Sequence, residues 1–145
     1  MAKFVYKFES IKRIKETLEK KAQKEVALIE IDIEKKKNEY NKVADEENRS
    51  LKNFSQKAVT VGELKFKKGY ELCLKKKRDE ITKDIDKLNI KRDKKMNELV
   101  QKTKEHKIFN KLEEKHSEKF LFEQSKQELG FIDELATQKF VRRKK

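Results

Sequence analysis

The chain of 145 residues contains no proline, three glycines and one cysteine. Without proline nothing in the covalent chain forces a helix to break, and so few glycines leave room for few sharp reversals. Cys73 alone can form no internal disulfide, which fits a reducing, cytoplasmic setting. The longest apolar run is about four residues, Val26-Ala27-Leu28-Ile29, far from the ~18 that mark a membrane span. The opening residues, Met1 to Ser10, hold no apolar segment of signal-peptide length. Hydrophobic residues make up 34%, against roughly 45–50% in a globular domain, which excludes a multi-layered core.

Chemistry is sparse for the same reason. Catalysis needs clustered polar groups in a pocket that excludes water, and a chain this poor in apolar residues cannot enclose one. His106 and His116 are ten residues apart, too far along a helix to share a metal. No glycine-rich loop is present to cradle a phosphate. The expectation is no enzyme, no cofactor and no metal site, with Cys73 a small buried hydrophobe beside Leu74.

What is present is charge: 46% of residues, with 40 Lys and Arg against 27 Asp and Glu and a formal net charge of +13. That composition belongs to long helices packed along one narrow seam, or to disorder. Apolar residues that keep helical spacing over tens of residues exclude the second. The excess of positive charge suits acidic partners, whether nucleic acid, anionic lipid or an acidic protein surface.

The stretch from Phe54 to Gly69 holds two of the three glycines, and within it Thr60 and Glu63 have the spacing of a capping box. A helix should begin near Val61. The fold class is therefore all-α, a long antiparallel two-helix coiled-coil hairpin forming a single domain, 1–145. Its arms span about 4–57 and about 63–140, with the hinge at about 58–62.

In the first arm the helix is expected to start near Lys3, with Ser10 as another possible cap. The stripe runs through Phe4, Phe8/Ile11, Ile14, Leu18, Ala22, Val26, Ile29 and Ile33, then Tyr40, Val43, Leu51, Phe54 and Ala58. The steps from Ile14 to Val26 contain an extra interval of four, a stutter in the supercoil. Lys36 and Glu47 interrupt the seam. Ile29, Ile31 and Ile33 alternate as a strand would, but with no partner strand in the sequence helix is the reading, leaving Ile31 exposed.

In the second arm the stripe is Phe66, Tyr70, Leu74, Ile81, Ile85, Leu88, Met96, Leu99, Thr103, His106, Phe109 and Leu112, with Lys77, Arg92 and Lys95 on or near it. Gly69 could kink the helix, and the basic runs at 75–78 and 91–95 read as solvated faces. Antiparallel arms of equal rise bring together residues whose numbers add to roughly 120. Phe54 then meets Phe66, Tyr40 meets Ile81, Ile33 meets Leu88, Ala22 meets Leu99 and Ile11 meets Phe109. The middle, where Lys36, Val43 and Glu47 meet Ile85, Lys77 and Leu74, is the softest part. The register leaves 117–140 overhanging, with Phe120, Phe122, Leu129, Phe131, Ile132, Leu135 and Phe140 lacking an internal partner helix and so marking a partner surface.

Three motifs carry a resemblance over nearly the full length. They are the opening Lys3-Phe-Val-Tyr-Lys-Phe-Glu-Ser-Ile-Lys-Arg-Ile14, the pattern Tyr70-x-x-Cys-Leu74 after Gly62, and the closing Glu128-Leu-Gly-Phe-Ile-Asp-Glu-Leu-Ala136. Together they resemble the FliJ-type proteins of the flagellar type III export apparatus. Cys73 and Gly130 depart from that pattern. The resemblance implies a stalk like that of rotary ATPases, cytoplasmic and peripheral to the inner-membrane export apparatus. Its implied partners are the hexameric export ATPase, the cytoplasmic domain of the export gate protein and export chaperones. It implies gate contact through Tyr70 and Leu74. The overhang would meet the ATPase ring through Phe120, Phe131 and Leu135, oriented by Glu128, Asp133, Glu134, Arg142 and Arg143. The alternative is a basic coiled coil bound to nucleic acid or ribosomes. Acids interspersed among the bases along both arms argue against a specific nucleic-acid face.

Overall fold

A computed structural model describes residues 3–54 and 60–143. The expected seam residue Ala58, the end of the first arm near 57, the start of the hinge at 58–59 and the last two lysines lie outside these described residues. Helix α1 covers Glu9–Phe54 and α2 covers Val61–Arg143. They pack against each other as an all-α hairpin, with no strand among the described residues. The described residues group into two compact units, one from Lys20 to Val100 and one joining the residues up to Glu19 with those from Gln101 onward.

The α2 start is the capping box expected of it. The Thr60 amide donates to Glu63 Oε2 at 3.0 Å and the Glu63 amide to Thr60 Oγ1 at 3.4 Å. Thr60→Ala removes the acceptor and should lower stability by about 0.5–2 kcal/mol, read from the urea midpoint at constant slope. An unchanged midpoint would show that the cap contributes nothing. Helix α2 then runs through Gly69 and Gly130 without interruption.

In the Lys20–Val100 unit the non-exposed residues of α1 follow steps of three and four from Ala22 to Phe54, and those of α2 do the same from Lys67 to Leu99. Val26, Ile29, Ile33 and Leu74 are buried, while Ile31 is exposed, so the alternating isoleucines are helical. Polar seam positions carry their own partners. Lys36 Nζ lies 3.2 Å from Glu39 and 3.6 Å from Asp84. Lys95 Nζ lies 3.1 Å from Glu25, and Arg78 Nη1 donates to Glu47 Oε2 at 2.8 Å. Hydrogen bonds to Glu39 and Glu25 raise the Lys36 and Lys95 pKa values, respectively. The Lys36–Asp84 and Glu25–Lys95 numbers add to roughly 120, the register read from the sequence.

Three expectations fail in this unit. Arg78, not Lys77, enters the seam, because the three-four steps through Leu74 select it. Phe66 shares a groove with Phe54 but is 73% exposed rather than covered in the seam. The inward position belongs to Lys67, whose Nζ sits 4.9 Å over the Phe54 ring; its long stem covers the apolar edge and its ammonium meets the π face. Cys73 is exposed, not buried, since one residue on from a seam position turns about 100° away in a helix.

The unit around the chain's two ends differs more. The expected helix start near Lys3 is replaced by non-helical chain, with Glu9 opening α1 and its amide donating to the Tyr6 carbonyl at 3.3 Å. Phe4, Tyr6 and Phe8 alternate, a spacing that extended chain places on one side and a helix scatters. Their rings meet α2: Phe4 on Phe120 at 5.6 Å, and Tyr6 and Phe8 on His116 at 5.9 and 6.1 Å. Tyr6 is buried and its hydroxyl donates to the Phe109 carbonyl at 2.9 Å. Phe120 thus has an internal partner, unlike the overhang expectation. Non-helical chain can advance ~3.3 Å per residue against 1.5 Å in a helix, so the first residues reach farther along α2. From 121 to 143 every residue but Gln124 is exposed.

Ile11, Ile14 and Leu18 are exposed, and the expected stutter is absent. Lys12, Lys15 and Glu19 take the inward line instead. Lys12 bonds Glu113, and Lys15 Nζ donates to Glu105 Oε2 at 2.8 Å. Thr103 Oγ1 donates to Glu19 Oε1 at 3.1 Å, and His106 Nδ1 to Glu19 Oε2 at 2.5 Å. The Glu19 and His106 side chains are only 14% and 18% exposed. The Lys15 hydrogen bond holds the Glu105 carboxyl below its ordinary pKa. Its contribution is complete above the unfolded carboxylate range and is lost as pH falls through the depressed folded value.

Candidate functional site

Among the described residues no group of three His, Cys, Asp or Glu could hold a metal ion, and no helix is long and apolar enough to cross a membrane. What the molecule offers is helix surface, in two places that the sequence singles out.

The first lies where α1 ends and α2 begins. Glu46, Arg49, Ser50, Asn53, Phe54, Phe66 and Tyr70 line an open groove of about 370 Å³. Phe66 and Tyr70 are one helical turn apart, and their rings stack at 6.5 Å with 5° between planes. An i, i+4 aromatic pair of this kind holds both rings in place. Tyr70 and Leu74 were expected to share a surface, but they do different things. Tyr70 presents its ring outward, while Leu74 is 1% exposed and closes the seam beneath it. Phe66, assigned to the seam by spacing, belongs to the surface.

The second is the helix from 121 to 143. Projected at about 100° per residue, Phe131 falls closest to the direction of Phe120, which ends the seam. Glu134 lies on one side of it and Leu135 and Glu128 on the other, with Phe131 and Leu135 exposed. Asp133 falls on the opposite side, with Phe122 and Leu129, and Ile132 stands between the two faces. The site residues read from the sequence therefore form one face around Phe131, flanked by acids, with Asp133 outside it.

Sequence reasoning missed the polar line of Lys12, Lys15 and Glu19. The signal was available in the heptad from Phe54 back through Ile33 and Val26, which arrives at Glu19 and Lys12 without an inserted step.

The chain matches the family model described as Flagellar FliJ protein over residues 4–145. No curated protein and no solved structure matches it.

Proposed function

This chain belongs to the flagellar FliJ family and is a flagellar export-related protein, and on that premise we propose that it acts as a non-enzymatic stalk of the export apparatus. In this reading the face around Phe131 and Leu135 engages the hexameric export ATPase ring and stimulates it. The Phe66–Tyr70 shelf contacts the cytoplasmic domain of the export gate, export chaperones are further partners, and the protein works at the cytoplasmic side of the inner membrane. The observation that carries the reading is the helix beyond Phe120, whose large apolar side chains have no cover from α1. Burying one such side chain is worth roughly 1.5–3 kcal/mol, and charged neighbours such as Glu128 and Glu134 set orientation and on-rate.

The test is truncation after Phe120, which keeps the Phe4–Phe120 contact. ATPase stimulation should be abolished while the circular dichroism per residue stays helical. Normal stimulation by the truncated chain would place the functional end elsewhere. Tyr70→Ala should weaken gate binding at least tenfold at an unchanged melting temperature; unchanged binding would remove the shelf from the interface.

A further inference from the structure

One side of the unit around the chain ends is apolar, and neither the seam nor the ring-facing side uses it. In α1 it consists of Ile11, Ile14 and Leu18, at steps of three and four, with Ile14 58% exposed. Their outward phase is fixed, because turning them inward would break the pairs that Lys12, Lys15 and Glu19 make with Glu113, Glu105 and His106.

The facing helix continues the same flank. In an antiparallel pair, the residues just before the seam line of each helix border a common flank; these are Ile11 and Leu18 on α1 and Glu105 and Leu112 on α2. The Lys15–Glu105 bond crosses that flank, and the Glu19–Thr103 bond sets a register that brings Ile14 level with Ile108, which is 57% exposed. Farther along α2 the same side passes through Phe122 and Leu129 and reaches Ile132 at its edge, with Phe122 71% exposed. Lysines are interleaved with them: Lys104, Lys111, Lys115, Lys119 and Lys126, against Glu118 and Asp133. Of these lysines, Lys119 lies 3.9 Å from Glu123.

We propose that this side is a docking surface for one acidic amphipathic helix of a partner protein, lying along α2 from Ile108 to Ile132 and wedged at its Ile108 end against Ile11 and Ile14. At the Ile108 end the ledge between two helices offers a third helix contact on two sides. The length corresponds to a helix of about 24 residues. Charge decides the occupant. A second copy of this chain would set lysine against lysine. A bilayer would draw Lys115 and Lys119, which stand within the apolar line, into hydrocarbon. A helix whose apolar stripe is bordered by Glu and Asp satisfies both the stripe and the lysines. The proposal centres on Phe122 and Leu129, which face away from Phe131, and does not depend on ring engagement.

The test uses the full chain and a fluorescent designed 24-residue peptide with an apolar stripe at three-four spacing and glutamate flanks. The comparison peptide has the same stripe with lysine flanks. The glutamate peptide should bind and the lysine peptide should not. Ile14→Ser with Ile108→Ser, and separately Phe122→Ser with Leu129→Ser, should each weaken binding at least tenfold with unchanged helicity. Lys115→Glu, Lys119→Glu and Lys126→Glu together should reverse the peptide preference, while Phe131→Ser with Leu135→Ser should change affinity less than twofold. Equal binding of both peptides would overturn the proposal. So would tighter binding to phosphatidylglycerol vesicles than to the glutamate peptide, or a dimer in ultracentrifugation that the serine substitutions dissociate.

Discussion

Leu74→Ala should destabilise the protein by about 2–5 kcal/mol, the range for truncating a fully buried leucine. Leu74 is 1% exposed, the lowest value among the buried hydrophobic residues. Its nearest seam neighbours along α2 are Glu71 and Arg78, and Arg78 is committed to Glu47. No apolar side chain on the same helix can therefore move in to fill the cavity, which places the cost toward the upper part of that range. Urea unfolding of the full chain measures it. Leu72→Ala and Cys73→Ala, on either exposed side, should each stay within about 0.5 kcal/mol. A Leu74→Ala effect no larger than these controls would mean that the two helices do not close over this residue.

The polar group on the inward line of the other unit makes the second large prediction, and its sign depends on which residues are changed. Glu19→Ala leaves the His106 Nδ1–H and the Thr103 hydroxyl without their acceptor in a site where the side chains are mostly covered. An orphaned buried donor costs about 1–3 kcal/mol. Changing Glu19→Leu together with His106→Leu removes the charge and its partner and supplies apolar volume. Such replacements are often neutral or stabilising by about 1–4 kcal/mol. Thermal melts at neutral pH should then rank the double leucine variant at or above the parent and Glu19→Ala well below it. If Glu19→Ala melts with the parent, the inward line runs through Ile14 and Leu18 after all.

Those two residues lie in parts of the molecule that differ in how far the sequence exposes them. Around Leu74 the seam was readable, because Ile29, Ile33, Ile81, Ile85 and Leu88 supply apolar residues at seam spacing and the charges expected to interrupt it at Lys36 and Glu47 are found there, although Arg78 takes the place expected of Lys77. The Thr60–Glu63 box was readable because a cap is a local hydrogen-bond pattern within four residues. The register followed from equal helical rise on either side of one hinge. The Phe131 face was readable as an apolar excess beyond the reach of the first arm, and residues 128–136 also carried the family resemblance.

Local hydrogen bonding and helical period, both legible in the sequence alone, determined an all-α hairpin, its approximate register and the start of α2, and the resemblance of the motifs determined the family. Tertiary structure decided which side of the first helical turns faces inward. Hydrophobicity favours Ile11, Ile14 and Leu18 while the unbroken heptad favours Lys12 and Glu19, and what decides between them is that Lys12, Lys15 and Glu19 meet Glu113, Glu105 and His106 across the seam. It also turned Phe66 out and Lys67 in, and laid Phe4, Tyr6 and Phe8 on α2 as non-helical chain. In each case the deciding contact is with a residue far away in sequence, so only the packed helices could supply it.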